Sequence, residues 1–413
     1  MIKLFKHQEK VLEFENNTPY CLDMSEPGCG KTFPAILSCK DKGKCLVVCP
    51  SYLQYNWISE IDKVLGESAA KWPKSARITI MSVDSIYKDA TPFHNLDVLV
   101  MDEASFICHL AAKRTKCFHY YVQQFKPKKL ILLSGTPMKS RVGDLYSILR
   151  LFDYHYNKGF VKRFPTQWSY NLRYSHQVKK RFGGREIITW EGSKNIPELK
   201  SWLEGRYVKF TLDELEDLPD VTIEEMVVES KESKKLDVAL ESGWQEMELG
   251  RPPSAAFATL KMENALLKVP AAIEIIQGLL DAEQGPLVVF SDHREPVQKI
   301  AGAFTGGRFI RGGISNTERE EIVKDFQLGK IPVLVGTIKS MNMGLTLTKS
   351  NTLIFVDKNY LPNENLQAMR RIQRVSQTRK CRVIELVRKG IDARINRALK
   401  LKEEIIAEVI GGS

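Results

Sequence analysis

Ser25-Glu26-Pro27-Gly28-Cys29-Gly30-Lys31-Thr32 follows a short apolar run and precedes the helix-like stretch FPAILSC. The spacing is that of a phosphate loop, GxxxxGK(S/T), with Ser25 standing at the first glycine position. Glycines let backbone N–H groups close around phosphate oxygens at a helix N-terminus. Lys31 is then placed to reach the β- and γ-phosphates, and the Thr32 hydroxyl to ligate Mg2+. Farther along, Val98-Leu99-Val100-Met101-Asp102-Glu103 is an apolar strand ending in two carboxylates. Asp102 suits a magnesium water shell, and Glu103 suits the polarisation of an attacking water. Alone, each motif also reads as ordinary structure: a glycine turn before a helix, or an acidic turn after a strand. In this order and about 70 residues apart, they describe an ATP site. A third cluster, Gln367-Ala368-Met369-Arg370-Arg371-Ile372-Gln373-Arg374-Val375-Ser376-Gln377, reads on charge alone as a solvated helix face.

Those residues need elements to hold them. Unbroken apolar runs recur at 45–50, 97–103 and 129–136, then at 286–292, 332–337, 352–357 and 382–387. Runs that are apolar throughout suit parallel strands buried on both faces. Helix-like stretches such as 51–65 and 316–329 lie between them, so the fold class is α/β with open parallel sheets. The runs fall into two groups, before about residue 140 and after about 285, which points to two α/β lobes. Residues 150–190 carry nine Lys/Arg against two Asp/Glu, interleaved with ten aromatics. Most of those aromatics are expected to pack a small core of their own. Residues 211–232 reverse the sign, with nine acidic residues and one Lys, and read as a solvated linker or helix face. Residues 231–249 and 254–281 read as helices separated by Gly250-Arg251-Pro252-Pro253.

Composition bounds the rest. The chain has 413 residues, 43% of them hydrophobic, and a formal charge of +11 from 61 Lys/Arg and 50 Asp/Glu. That balance favours a polyanionic partner. The eight cysteines form no CxxC pair and no Cys/His grouping at zinc spacing, so reduced thiols in a cytosol are expected. No leader-like apolar segment opens the chain, and export and membrane insertion are not expected. Single histidines such as His7, His109 and His293 read as surface or packing residues.

The sequence QAMRRIQRVSQ, at 367–377, resembles the arginine-finger motif of superfamily 2 helicases of the Swi/Snf type. Other segments match that family in order: Phe5-Lys6-His7-Gln8, the run from Val47 to Trp57, Ser134-Gly135-Thr136-Pro137, Val288-Val289-Phe290-Ser291, and Gly344-Leu345-Thr346-Leu347-Thr348 with Asp357. The resemblance covers nearly the whole chain and implies two RecA-like lobes, at 1–150 and 226–413, with a basic, aromatic-rich insert and linker at 151–225. It implies that ATP with Mg2+ binds between the lobes. Gln8, Glu26, Pro27, Gly28, Cys29, Gly30, Lys31, Thr32, Gly344 and Gln367 would hold the nucleotide, and Thr32 and Asp102 the metal. Lys31, Glu103, Arg371 and Arg374 would carry catalysis, with Arg374 assigned to the finger. Ser51, Trp57 and Thr136 would contact DNA. In the insert, Arg163, Trp168, Arg173, Lys179, Lys180 and Arg181 would hold phosphates or stack on bases.

One branch fits best. The segment from Trp168 to Tyr174, then Trp190-Glu191-Gly192-Ser193, Asn195, Glu198-Leu199 and Leu218-Pro219, resembles the inter-lobe region of the annealing-helicase (HARP-type) subgroup. This implies a translocase on branched or forked DNA, largely blind to sequence. RNA unwinding is the same-class alternative, which the GLTLT and QAMRRIQRVSQ segments speak against; a clamp that binds without catalysis is the other. Two departures stand out. Ser105 occupies the place of a family His, and Tyr207-Val208-Lys209-Phe210-Thr211-Leu212 replaces a segment that usually carries two arginines. With the glutamine segment lying so near Met1, a bare monomeric motor is expected, bacterial or bacteriophage-encoded and cytoplasmic.

Overall fold

The computed structural model describes residues 4–138, 141–182, 185–211, 214, 218–228, 236, 238–240, 255–341, 345–374, 376–388 and 391–411. The chain forms two compact units. One comprises 1–179, 190–215 and 404–413, the other 180–189 and 216–403. Residues 151–179 and 190–215 thus group with the first unit.

The first unit is built on a seven-stranded parallel sheet. In chain order its strands are β1 (Tyr20–Asp23), β2 (Cys45–Cys49), β3 (Ala70–Lys71), β4 (Ile78–Ser82), β5 (Val98–Asp102), β6 (Lys129–Leu133) and, after the hairpin β7 (His176–Phe182) and β8 (Arg185–Glu191), β9 (Tyr207–Val208). Across the sheet the order is β3-β4-β2-β5-β6-β1-β9. Leu46, Val48, Leu99, Met101, Leu130 and Leu132 face one core, while Val47, Cys49, Val98, Val100, Ile131 and Leu133 face a second. This double-sided burial is why the runs are apolar without alternation. Helices α1 (Lys6–Asn17), α2 (Thr32–Leu37), α3 (Gln54–Leu65), α4 (Lys113–Phe125) and α5 (Leu145–Tyr156) connect and flank the strands, followed by α6 (Gln167–Tyr174) and α7 (Ile196–Leu203).

The second unit holds a six-stranded parallel sheet of β10 (Val221–Val227), β11 (Leu287–Ser291), β12 (Arg308–Ile310), β13 (Val333–Thr337), β14 (Thr352–Phe355) and β15 (Cys381–Val387), ordered β10-β15-β14-β11-β13-β12. Leu287 and Val289 face one core, and Val288 and Phe290 the other. The long helix α8 (Ala255–Asp281) precedes β11, and α9 (Pro362–Met369) carries the first half of the arginine motif. Both units are RecA-like lobes. All seven apolar runs form strands, and 51–65 forms a short 3-10 turn, Ser51–Leu53, followed by α3.

The acidic segment corrects the expectation of a solvated linker or helix face. Val221–Val227 is an edge strand paired in parallel with β15, from Val221↔Cys381 to Val227↔Val387. Glu224 meets the Arg382 guanidinium at 2.9 Å, and Glu225 accepts from Asn396 Nδ2 at 2.7 Å. Charge at a sheet edge blunts further pairing, so acidity and strand are compatible there. Most of 231–249 lies outside the described residues. Among the described residues no helix is long and apolar enough to cross a membrane.

Candidate active site and nucleic-acid surface

The loop of residues 25–31 leaves the carboxyl end of β1, where open parallel sheets place their ligands. Gly28 and Gly30 take φ of 105° and 74°, a region open to glycine and strained for other residues. At Gly30 a Cβ would also lie 2.4 Å from Gln8 Nε2. Gln8 donates to the Gly30 carbonyl at 3.1 Å, and a His7 ring nitrogen lies 2.8 Å from the Cys29 carbonyl. The glutamine segment therefore braces the loop from α1. Lys31 Nζ donates to the carbonyls of Ser25 and Glu26, at 2.7 and 3.1 Å, so its ammonium sits inside the loop it is expected to serve. Thr32 opens α2.

Two departures from the expected motifs meet in space. The Ser25 hydroxyl, at the position of the missing glycine, accepts from the Phe210 N–H at 3.2 Å. The Phe210 carbonyl accepts from Glu26 N–H at 2.9 Å and from the Cys29 thiol at 3.6 Å. The segment lacking the paired arginines thus runs beside the loop as a continuation of β9. Cys29 is buried in this contact. From the other side, Gly135 touches the loop. A Cβ on Gly135 would stand 2.7 Å from Pro27 Cδ, so only glycine permits this approach.

Asp102 ends β5, and Glu103 follows in the left-handed region at φ 58°, ψ 61°. A non-glycine residue there stores strain of the kind found at functional sites. Asp102 Oδ2 accepts from the indole Nε1 of Trp57 at 2.8 Å. Burial pushes the Asp102 carboxyl above the usual range, against the pull of the Trp57 N–H and the Lys31 charge. Asp23, at the end of β1, is raised by burial too, with Lys31 and the Ser25 hydrogen bonds opposing. Its Oδ2, Ser134 Oγ and Thr136 Oγ1 are buried polar atoms without hydrogen-bond partners. Buried polar groups of this kind call for a polar ligand or water. Together with Lys31, Thr32 and the paired carboxylates, they fit a magnesium-bound triphosphate. Asp23 was not anticipated. The only signal was the apolar run YCLDM ahead of the loop.

In the second unit, Arg371 and Arg374 both donate to the Leu345 carbonyl, at 3.4 and 3.1 Å. Arg374 Nε is buried without a hydrogen-bond partner, and burial works against its charge. A guanidinium stays protonated even so, which leaves a cation suited to an anionic ligand. Gln377 donates to Thr348, Ser350 and Ile372 carbonyls and knots the segment together. Gln367 lies half-buried on α9, and Gly344 is outside the described residues. Asp357 accepts from the Ser291 hydroxyl and the Asp292 N–H. With Asp292 and His293 it forms a cluster whose ligand atoms lie within 4.8 Å of one another. The Lys261 ammonium, 3.0 Å from Asp292 and 4.0 Å from Asp357, already supplies the cluster's positive charge.

The expected nucleic-acid residues divide. Ser51 is exposed at the start of its 3-10 turn, but Trp57 is 1% exposed and Thr136 is buried. Their side chains serve the interior, which corrects the expectation of surface contacts. Arg163 and Arg173 both pair with Glu198, and Tyr174 joins them, donating to the same carboxylate at 3.1 Å. About half of each arginine side chain remains exposed. Phe152, Phe160, Phe164, Tyr170 and Tyr174 are buried in the core that the first sheet builds, which corrects the expectation of a small core of the insert's own. Trp168 differs: it is 48% exposed, edge-on to Trp190 with centroids 4.9 Å apart. Lys179 is exposed, while the side chains of Lys180 and Arg181 lie outside the described residues.

Residues 6–181 match the SNF2-related domain, and residues 268–376 match the helicase conserved C-terminal domain. The chain is 25% identical over 434 aligned residues to the DNA annealing helicase and endonuclease ZRANB3 of Mus musculus, covering 95% of this chain and 39% of that protein. It is 26% identical to the SWI/SNF-related matrix-associated actin-dependent regulator of chromatin subfamily A-like protein 1 of Xenopus tropicalis, covering 88% of this chain and 40% of that protein. The chain thus spans about two fifths of the length of these relatives. The SWI2/SNF2 ATPase core of Sulfolobus solfataricus, solved with dsDNA, overlays with a TM-score of 0.45 at 19% identity, over 99% of this chain and 93% of that one. The two domain matches stand in the order the motifs require, and the chain carries a SNF2-related domain followed by a helicase conserved C-terminal domain.

Proposed function

We propose that this protein is a DNA-dependent ATPase that remodels branched DNA, by fork regression, branch migration or strand annealing. The observation that carries the reading is the carboxyl edge of the first sheet. There a glycine loop with Lys31 and Thr32, the Asp102–Glu103 pair and three unpartnered buried polar atoms gather on adjacent strands. Thr32 and Asp102 hold Mg2+, which when bound neutralises charge on the β- and γ-phosphates. Lys31 holds the same phosphates, and Glu103 polarises the attacking water. Arg374, with Arg371 beside it, supplies the guanidinium that stabilises charge on the transferring phosphoryl group.

The choice of branched DNA is supported by the likeness to a DNA annealing helicase and by the exposed Trp168. An indole with half its surface in water and a second indole edge-on to it suits stacking on an unpaired base. Backbone contacts dominate, so sequence preference is weak. The protein works as a monomer in a reducing cytoplasm, a setting in which its eight cysteines form no disulfide.

The test is ATP turnover with single-stranded, duplex, forked and four-way-junction DNA. Forks and junctions are expected to raise the rate most. Glu103→Gln is expected to keep ATP binding and lose turnover by at least about a hundredfold. A rate that no DNA raises, in protein that hydrolyses ATP, would end the motor reading.

A further inference from the structure

Trp57 has one polar atom, and a buried indole N–H needs an acceptor. It finds Asp102 Oδ2 at 2.8 Å. The ring is otherwise enclosed by the apolar core that holds Val47, Cys49, Ile61, Val100 and Leu133. Such surroundings fix the indole plane, and with it the direction of the N–H. One carboxylate oxygen of Asp102 is therefore committed, and the rotation of the group is set by a side chain from another element.

That element is the one expected to meet DNA. β2 and β5 run in parallel register, Val48 beside Met101, so they leave the sheet at neighbouring points. β5 ends in Asp102. β2 passes into the turn Ser51–Leu53, exposed at Ser51, and then directly into the first turn of α3, which carries Trp57. A displacement of the turn moves the start of α3, and Trp57 Nε1 moves with it.

We propose that Trp57 is a positioning residue: its indole N–H sets the Asp102 carboxylate for Mg2+ and ties that setting to the Ser51–Leu53 turn, so that DNA at the turn changes metal affinity at the nucleotide. The inference rests on the reading of Asp102 as a metal holder and of Ser51 as a DNA contact. It adds a direct mechanical link between the two, made by one hydrogen bond. It also accounts for a tryptophan in a DNA-facing segment that offers DNA nothing.

The test removes the N–H and keeps the ring. Trp57→Phe is one variant. Replacement of Trp57 by benzothienylalanine, which keeps the bicyclic shape and has no N–H, is the second and carries the experiment if Trp57→Phe fails to fold. A fluorescent, slowly hydrolysed ATP analogue is titrated in EDTA and then across Mg2+, with and without duplex DNA. Affinity in EDTA is expected to stay within about twofold of wild type. The Mg2+ midpoint is expected to rise about tenfold, equivalent to ~1.4 kcal/mol and in the range of a hydrogen bond to a charged group. The shift that DNA produces in that midpoint is expected to vanish in both variants.

A Mg2+ midpoint within about twofold of wild type in a folded variant would overturn the proposal. So would a wild-type midpoint that DNA does not move. Asp102→Asn separates the two readings. If it shifts the Mg2+ midpoint while neither Trp57 variant does, only the positioning role fails; if it shifts nothing, Asp102 is not the metal holder and both fail.

Discussion

His119 sits between Ser147 Oγ at 2.7 Å and Tyr154 OH at 3.1 Å, on α4 against α5. Burial and the nearby Arg150 charge push it down from 6.5 to about 3. The sign follows from proton counting. Below about pH 6.5 the unfolded chain binds a proton that the folded chain refuses, so stability falls with acidification by up to ~1.4 kcal/mol per pH unit until about pH 3. Urea unfolding between pH 6.5 and 5 is expected to show a steeper loss in wild type than in His119→Gln, by up to ~2 kcal/mol across the interval. Equal slopes would contradict the assignment. At this scale the sequence was legible where chemistry is local: Lys31, Thr32, Asp102 and Glu103 sit where their spacing put them. It was illegible where a partner comes from far along the chain. Nothing near Trp57 announces Asp102, and nothing near Arg163 or Arg173 announces Glu198, which turns two expected phosphate ligands half inward.

Among the elements, the loop after β6 and the loop after β1 touch at Gly135 and Pro27. The segment Ser134-Gly135-Thr136-Pro137 therefore acts on the phosphate loop by contact. Gly135→Ala places a methyl against the Pro27 ring and its backbone nitrogen, at 2.7 and 3.2 Å, and one side must give way. Overpacking of this kind costs about 1–3 kcal/mol. Nucleotide affinity is expected to fall roughly tenfold or more, with circular dichroism unchanged. Undiminished binding in calorimetry would mean that the loop absorbs the methyl without consequence. Strands buried on both faces were legible because seven apolar runs have no other use. β1, β4 and β9 escaped: the first two are short or mixed in composition, and β9 has two residues. β10 escaped because its acidic residues suggest solvent, whereas a sheet edge with Arg382 and Asn396 alongside accommodates them.

Over the whole molecule, the +11 charge is concentrated in two places. Residues 150–190 carry nine basic and two acidic side chains, and residues 361–413 carry twelve and six. The fold spends part of each surplus internally. Arg163 and Arg173 meet Glu198, Arg382 meets Glu224, and Arg371 and Arg374 hold the Leu345 carbonyl. DNA binding is expected to retain strong salt dependence all the same. With about four phosphates neutralised, affinity falls roughly a hundredfold between 50 and 200 mM salt. A fluorescence-anisotropy series with a flat salt response would argue against backbone binding by these residues. Two lobes could be read from the spacing of the apolar runs. The grouping of 151–179 and 190–215 with the first unit could not, since it depends on aromatics that reach a core built by strands far earlier in the chain.

Cys29 lies within the phosphate loop, buried under the Phe210 carbonyl that its thiol contacts. A thiol there is shielded from oxidants and alkylating agents for as long as the loop and the strand beside it stay closed. Modification can proceed only through an opening of that contact, so its rate is a clock for the loop's own motion. The protein carries a chemical stopwatch at the point where nucleotide is expected to bind.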